Sequence, residues 1–485
     1  FQTHAAQLVQ IAMAAPQLRA LRQTRLFVRH DDYGRFVSCI VYLPRDRYNT
    51  GVRRRLEILL RTAYHGTSTE YTALVTEALL ARVHFVIQLP LGAGAPGVDV
   101  LSLEAKVADA CESWEDGFAA EAHAVLGEDQ AQHLIDAFAT AFPEAYKEDF
   151  DGAEAVADAL SLMSLKDGEL GLRWLPDSTR PNCVQFKVNR IGDEVAVSRL
   201  MPLMQHMGMD VIAERPYGIE RAGAPGWVLD FDVQFGQVDV PDQDTLPARA
   251  SETFRAAWTG RCEDDRYNAL VVLAGLTWRE AAVLRAYGHY LKQLGASFGQ
   301  GFIQSVLASN VGIARNLVKL FQVRLDPAFD GDRKAAEVEL ITEIKHALDA
   351  VQSLDQDRIL RSFLAVICAT LRTNAFIGEL RERQALSFKI DARSVPDMPL
   401  PKPKFEVWVC SPRVEGVHLR FGSVARGGLR WSDRSEDFRT EILGLVKAQE
   451  VKNAVIVPVG AKGGFVPARL PDPVTDRAGW LAEGQ

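Results

Sequence analysis

The sequence alternates between the hydrophobic pattern typical of strands and the pattern typical of helices. The order of these patterns constrains the fold of this chain more than any other feature. Residues 25–43 hold two strand-like runs, and a helical pattern follows over 52–66 with Thr50 as its expected cap. A further strand pattern at 84–90 precedes a second helical pattern over 101–126. Strands and helices mixed in this order predict a small α+β layer, with helices on one face of an antiparallel sheet.

The same alternation recurs over residues 183–236. A strand, a turn at Gly192 and Asp193, a helix and a second strand are followed by a further strand at 227–236. This β-α-β-β order resembles the ACT-type fold, which is related to the ferredoxin-like folds and commonly binds amino-acid effectors at subunit contacts. The resemblance implies effector binding, and a purely structural or oligomerising module is the alternative.

A helical stretch follows, and then a return to strands. Apolar residues recur at helical spacing over 277–295, 302–325 and 355–376. Residues 387–422 alternate apolar and polar positions, which predicts strands that open a new domain. We therefore predict an α+β and α/β multidomain chain with five segments: a truncated N-terminal helix at 1–24, an ACT-like module with appended helices at 25–175, a second ACT-like module at 176–248, a helical domain at 249–385 and the start of an α/β domain at 386–485.

Composition excludes several classes of protein. Hydrophobic residues make up 47% and charged residues 24% of the chain, and no apolar run approaches the roughly 18 residues needed to cross a membrane. A net charge of -8 argues against a nucleic-acid partner. The expected partner is a small molecule or another subunit. Because the chain starts with Phe1 inside a helical pattern, we interpret it as a fragment.

The six cysteines occur singly, without a Cys-x-x-Cys pair or a histidine pair at metal-ligand spacing. We expect reduced, mostly buried thiols and no metal site. Together with the absence of a signal-peptide pattern, this usage indicates a cytoplasmic protein.

Two glycine-rich segments are weak candidates for nucleotide binding. Residues 295–301 lack the Gly-Lys-Ser/Thr ending of a phosphate loop. Residues 91–97 follow a strand but lack a third glycine at the right spacing and an immediate helix. Both are predicted to be ordinary loops.

A basic segment lies near the carboxyl end. Between residues 411 and 470 there are ten basic and six acidic residues, although the whole chain is acidic. A basic pocket there would suit an anionic substrate, and a solvated charged face is the alternative.

One helix is predicted within this segment. Asp433 lies three residues before Glu436, a spacing typical of a capping box, and a helical pattern continues to Asn453. The apolar face of this helix is predicted from four positions: Phe438, Ile442, Leu445 and Val446.

Helical geometry predicts that Lys447 and Lys452 lie on opposite faces of this helix. At about 100° per residue, Lys452 returns to within about 40° of Phe438, whereas Lys447 points to the opposite side. Gln449 shares the inward face. A buried lysine and glutamine need partners, since an unpaired charge there would cost several kcal/mol, and a substrate carboxylate is one candidate.

Lys462 is the candidate catalytic group. Residues 454–460 are predicted to form a short buried strand, which would place Lys462 beyond the strand end on a glycine loop. With Lys452 and Arg426 nearby, we expect a positive, partly desolvated site that lowers the pKa of Lys462 and suits it to act as a base.

The segment ARGGLRWSDRSEDFRTEILGLVKAQEVKNAVIVPVGAKGG resembles the substrate-domain signature of the glutamate dehydrogenases, specifically the large NAD-specific bacterial type. The resemblance covers about residues 405–470. It implies that 386–485 begins a substrate-binding α/β domain and that the upstream modules are ACT-like. It also implies NAD-dependent oxidative deamination of L-glutamate to 2-oxoglutarate and ammonia.

Site residues follow from the resemblance. It implies that Lys462 activates the water that attacks the imine of oxidised glutamate, and that Lys452 and Gln449 hold the α-carboxylate. Arg426 stands where smaller members carry a lysine that contacts the side-chain carboxylate. An arginine can still pair bidentately with that group.

The resemblance has further implications. Gly427 and Gly428 would let the substrate approach the backbone. A catalytic aspartate and the NAD site are expected beyond Gln485, so that this chain alone should not turn over substrate. We also expect a homo-oligomer with possible amino-acid effectors. The alternative is a non-catalytic ACT-type amino-acid-sensing regulator derived from such an enzyme, which is favoured if the reading frame ends at Gln485.

Overall fold

The computed structural model describes most of the chain. The described residues are 23–76, 79–90, 92, 94–176, 180, 183–221, 223–235, 244–377, 385–422, 427–453 and 460–484, with the backbone alone for 450–453. They fall into two compact units, the first of residues 1–164 and 217–226 and the second of 165–216 and 227–485.

The first unit contains a four-stranded antiparallel sheet in the order β1-β2-β4-β3. The α+β layer predicted for this region is confirmed, because Leu56 and Val107 of the two following helices share one buried core with Val41 and Phe85 of the sheet. The elements are β1 (Arg25–His30), β2 (Phe36–Pro44), α1 (Thr50–Ala63), β3 (Ser68–Leu74), β4 (Leu80–Gln88) and α2 (Val100–Ala110).

Two local predictions here are wrong. The cap of α1 is Asn49 rather than Thr50, and its side chain accepts a hydrogen bond from Val52 N at 2.8 Å. The helix predicted over 101–126 is two helices. Ser113 breaks it, because its hydroxyl and the Asp116 carboxylate form a reciprocal capping box that starts a new helix. Four helices complete the unit: α3 (Trp114–Val125), α4 (Glu128–Phe138), α5 (Glu144–Asp149) and α6 (Gly152–Ser164).

A second four-stranded sheet repeats the arrangement of the first. Its order is β5-β6-β8-β7, so both sheets share one strand order and one β-β-α-β-β-α sequence of elements. The strand-helix-strand-strand order predicted over 183–236 is confirmed, while the leading strand β5 was not predicted. The elements are β5 (Leu170–Pro176), β6 (Cys183–Ile191), α7 (Val197–His206), β7 (Asp210–Ile219), β8 (Gly226–Gln234) and α8 (Leu246–Trp258).

The helical stretch is confirmed with three differences. The helix predicted over 355–376 ends at Ala369, and residues 370–373 form a strand instead. The run over 302–325 is interrupted at Asn310, whose φ of -120° and ψ of 55° are not helical. The helix over 333–349 was not predicted. The helices are α9 (Ala269–Leu273), α10 (Trp278–Gln293), α11 (Gln300–Ser309), α12 (Val311–Leu325), α13 (Arg333–Asp349) and α14 (Leu354–Ala369).

A six-stranded mixed sheet follows in the order β13-β14-β12-β11-β10-β9. Only the β13–β14 pair is parallel among the pairings described, and α15 connects these two strands as a crossover helix. The elements are β9 (Thr370–Thr373), β10 (Leu386–Ile390), β11 (Phe405–Cys410), β12 (Val414–Arg420), β13 (Leu429–Trp431), α15 (Phe438–Asn453), β14 (Ala461–Pro467) and α16 (Arg477–Gly484).

One hydrophobic core joins this sheet to the preceding helices. Tyr287 and Phe363 of the helices lie in the same buried cluster as Phe388, Trp408 and Phe438 of the sheet region. All six cysteines are free, and all except the half-buried Cys368 are buried, as predicted. Among the described residues, every helix falls short of the length and hydrophobicity that crossing a bilayer requires.

Candidate functional site

Helix α15 carries two of the predicted site residues. It begins at Phe438 rather than at the predicted cap Asp433, because a turn occupies the intervening residues and the first helical bonds lead back to Asp437. Phe438, Ile442 and Val446 are fully buried as predicted. The prediction for Leu445 is wrong: it is 37% exposed, and Leu443 is buried instead. Lys447 is exposed and Gln449 is half-buried, as the helical geometry predicted.

Lys462 lies within a strand, not on a loop beyond a strand end. It is the second residue of β14, where it pairs with Leu419 of β12, and the next residue, Gly463, pairs with Leu429 of β13. The predicted strand at 454–460 falls largely outside the described residues. The loop prediction failed because glycines usually mark turns, whereas here they allow close packing. A methyl group on Gly464 would lie 2.3 Å from Ile442 Cδ1 of α15.

The alternation of side chains along β14 sets the direction of Lys462. Lys462 and Gly464 project to the same face of the sheet, since side chains repeat every second residue. Ile442 covers Gly464 on that face, and the Gln449 side chain lies against Gly460. Lys462 therefore lies between two points at which α15 touches this segment, on the side of the sheet that α15 covers.

Gly427 packs directly against the peptide bond that precedes Lys462. A Cβ on Gly427 would fall 1.8 Å from the carbonyl oxygen of Ala461 and 3.5 Å from the backbone nitrogen of Lys462. Gly428 accepts a hydrogen bond from Gly463 N at 3.3 Å, but a Cβ on Gly428 would meet no atom within 4 Å. Of the two glycines, only Gly427 lies where the packing leaves no room for a side chain.

This difference predicts unequal effects of two similar substitutions. Gly427→Ala should destabilise the fold by about 1–3 kcal/mol or more, because the backbone of either strand segment must move. Gly428→Ala should leave the free energy of unfolding nearly unchanged, because a methyl group there meets no atom within 4 Å. Urea unfolding of the two variants measures this, and equal losses of stability would contradict the packing described.

The carboxamide of Gln449 is held in place without a partner. Its Oε1 is buried and accepts no hydrogen bond from the residues that the structure describes. The same atom lies 2.9 Å from the position that a Cβ on Gly460 would take. A buried polar atom without a partner is costly, so this oxygen is suited to a ligand group that donates a hydrogen bond to it. A carboxylate only accepts, and would have to be bound by the Nε2–H groups of the same amide.

The side chains of two predicted site residues lie outside the part of the chain that the structure describes. Arg426 lies outside the described residues, next to Gly427 in the sequence. Lys452 lies on α15, one helical turn after Gln449, and its side chain is also outside the description. The structure thus brings Gly427, Gln449 and Lys462 together, while the positions of the Arg426 and Lys452 side chains stay predictions.

A histidine adjoins the site on the other face of the sheet. His418 of β12 pairs with Gly463, so its side chain shares the face opposite to that of Lys462. Burial, and then the positive charge of Arg420, lower the pKa of His418. Its imidazole is therefore neutral near pH 7, and positive charge at this site has to come from other side chains.

Sequence reasoning missed the pair that anchors α15. The Arg439 guanidinium donates to both carboxylate oxygens of Glu406 at 2.7 and 2.8 Å, and both side chains are fully buried. Burial acts to lower the pKa of Arg439, and the Glu406 carboxylate more than offsets it, so that the pKa lies above its ordinary value. The alternation in β11 was the available signal, because Glu406 shares its buried side with Trp408 and Cys410.

Comparison with known proteins gives matches along most of the chain. Residues 343–485 match the family model of the bacterial NAD-glutamate dehydrogenase catalytic domain. The glutamate dehydrogenase ACT2 and ACT3 domains match 25–115 and 172–246, and helical motifs 2 and 3 of the same enzymes match 121–165 and 262–327.

Curated relatives match the chain from end to end. The NAD-specific glutamate dehydrogenase of Mycobacterium tuberculosis is 43% identical over 516 residues, covering 100% of this chain and 31% of the relative. That of Halomonas elongata is 40% identical over 100% of this chain and 30% of its own length. That of Pseudomonas aeruginosa is 40% identical over 97% of this chain and 30% of its own length. The chain thus spans less than a third of these relatives.

The two repeated α+β sheets, the helical stretch and the βαβ unit around Lys462 define a multidomain protein that joins ACT modules to a catalytic α/β domain. The match in every segment makes the assignment more specific. Along its whole length the chain matches part of the large NAD-specific glutamate dehydrogenases, so the resemblance predicted from the sequence is confirmed.

Proposed function

We propose that this chain supplies the glutamate-binding and proton-transferring half of an NAD-dependent glutamate dehydrogenase, which converts L-glutamate to 2-oxoglutarate and ammonia. The observation that carries the proposal is the convergence of Gly427, Gln449 and Lys462 on the amino end of β14. A family match and relatives that carry this name support the same reaction.

Each residue has a chemical task in this proposal. Lys452 and the Gln449 carboxamide hold the α-carboxylate, and Arg426 pairs with the side-chain carboxylate. Gly427 and Gly428 present backbone without side chains, so that the substrate can lie close to the strand. Lys462 acts as the general base that takes a proton from the water that attacks the imine carbon and thereby makes that water a nucleophile.

NAD supplies the oxidising equivalent that turns the amine into the imine. We propose that it is bound outside residues 1–485, because neither glycine-rich segment suits it. Residues 295–301 connect two helices, α10 and α11, rather than a strand and a helix. After residues 91–97, the next helix starts only at Val100. In this proposal, residues 1–485 therefore have no role in binding the nucleotide.

The proposal extends to the compartment, the assembly and the regulation of the protein. We propose a cytoplasmic homo-oligomer whose ACT modules receive an amino-acid effector. The free cysteines suit a reducing compartment, and ACT modules commonly bind effectors at subunit contacts. The five predicted segment boundaries stay predictions.

Substrate binding tests the proposal on the chain itself. Calorimetric titration with glutamate and 2-oxoglutarate should show one site, and Lys452→Ala should weaken binding about tenfold or more, because a charge-assisted hydrogen bond is lost. Lys447→Ala is the matched control: it removes the same charge from the exposed face of the same helix and should leave the affinity unchanged. Equal affinity of wild type and the Lys452 variant would contradict the assignment.

A further inference from the structure

Three side chains outside the proposed substrate site form a compact group of metal-ligating type. The ligand atoms of His289, Cys410 and Glu415 all lie within 4.8 Å of one another. His289 Nδ1 and the Glu415 carboxylate are directly hydrogen-bonded. Nothing in the proposed deamination uses any of the three.

The fold holds these three side chains on rigid elements. Cys410 ends β11 and Glu415 is the second residue of β12, and the two are directly paired across the antiparallel strands, so their side chains share one face. A turn closed by Ser411 N donating to Val414 O fixes this hairpin. His289 comes from the final turns of α10, which packs against the hairpin.

The donor set is the one that zinc and its neighbours prefer. An imidazole nitrogen, a thiolate sulfur and a carboxylate oxygen are all zinc ligands, and bond lengths near 2.0–2.3 Å place tetrahedral donors about 3.5 Å apart. The widest present spacing exceeds this by up to about 1.3 Å, while the hydrogen-bonded atoms of His289 and Glu415 are closer than this. Side-chain rotations therefore have to bring the thiol nearer and to separate the other two groups. His289 and Glu415 also line a cleft together with Trp431, so an ion has a route in and a water can complete its coordination.

We propose that His289, Cys410 and Glu415 bind one divalent transition-metal ion of the zinc type, with the fourth ligand position facing the cleft. On binding, the thiol proton and any proton that the imidazolium carries in excess of its neutral form leave to solvent, the proton remaining on the imidazole moves to its other ring nitrogen, and the thiolate, the freed imidazole nitrogen and the carboxylate ligate the ion. The ion thereby cross-links helix α10 to the β11–β12 hairpin.

The ion site is separate from the proposed substrate site along the sheet. Glu415 lies four residues from Leu419, which pairs with Lys462, a distance of about 13 Å along an extended strand. Metal binding and substrate binding can therefore fail independently. The competing interpretation is an ion pair between His289 and Glu415 beside a core thiol, without any metal.

Cobalt(II) titration of the metal-free chain separates these interpretations. We expect a thiolate-to-cobalt charge-transfer band in the near ultraviolet that saturates at one equivalent and is displaced by zinc. Cys410→Ser should abolish the band. His289→Asn and Glu415→Gln should each weaken zinc binding about tenfold or more, measured in competition with a chelator.

Three variants serve as matched controls. His206→Gln alters another histidine–carboxylate pair, with Asp264 at 2.7 Å, that is not part of the cluster. Cys368→Ser removes the half-buried cysteine outside the cluster. Lys462→Ala leaves the cluster intact, so that it should keep metal binding even if the proposed function is wrong. All three should bind cobalt as wild type does.

The cobalt titration of the wild-type chain can overturn the proposal by itself, so the test does not depend on whether any variant folds. Absence of the charge-transfer band at stoichiometric cobalt would overturn the proposal. A band that survives in Cys410→Ser would overturn it as well, because the thiolate would then belong to another cysteine.

Discussion

Replacing Lys462 with alanine should lower the rate of NAD-dependent glutamate oxidation by about 10²–10⁴-fold, the usual contribution of a positioned general base. Because we propose that NAD is bound outside residues 1–485, the assay uses a longer chain. Glutamate binding to the variant should stay measurable, because the α-carboxylate is held by Gln449 and Lys452 in our proposal. The effect should therefore fall on kcat rather than on KM.

Lys447→Ala is the control for this loss. It removes an equal charge from the exposed face of α15, and it should leave kcat within about twofold of wild type, because its side chain is exposed to solvent. A Lys462 variant that turns over glutamate at a near-normal rate would show that another group activates the water.

Glu406→Gln should cost about 3–5 kcal/mol of unfolding free energy, the penalty for leaving a buried charge without its partner. Glu406 and Arg439 are both fully buried and joined through two hydrogen bonds. Arg439 also receives support at its backbone, where its N–H donates to Gln293 Oε1 at 3.2 Å. Because this pair fixes the first turn of α15 against β11, glutamate affinity should fall together with stability.

An exposed ion pair provides the comparison for this variant. Glu483→Gln removes the partner of Arg413, whose side chain is 62% exposed, and should cost about 1 kcal/mol or less. The double change Glu406→Leu with Arg439→Met should recover much of the lost stability, since it leaves no buried charge. Urea unfolding of the four proteins measures these differences. Equal costs for the two glutamate variants would contradict the role given to the buried pair.

The parts of the site that sequence predicted well depend on local geometry. The inward face of α15 follows from residues three or four positions apart, so Phe438, Ile442 and Gln449 could be placed without knowing any neighbour. Exposed Lys447 was predicted by the same rule. The rule predicted that Leu445 is buried, but Leu443 is buried instead. This shows the limit of the rule, because the set of buried positions on a helix depends on the residues that pack against it.

The parts that sequence missed depend on contacts between distant residues. Lys462 was placed on a loop because the pairing of β14 with β12 joins segments more than 40 residues apart. The clash that would exclude a side chain at Gly427 arises with Ala461, which lies 34 residues further along the chain. Glu406 and Arg439 belong to different elements, so only the strand alternation around Glu406 hinted at a buried charge.

One assay tests the central claim most directly: NAD reduction by the longer chain with glutamate, leucine and phenylalanine as competing substrates. If a dicarboxylic amino acid is gripped at both ends beside Lys462, glutamate should be oxidised with a kcat/KM at least about 10²-fold above those of the two monocarboxylic substrates, since a charged partner would otherwise stay unpaired. Leucine or phenylalanine oxidised as well as glutamate, or no NAD reduction with any of the three, would contradict the account.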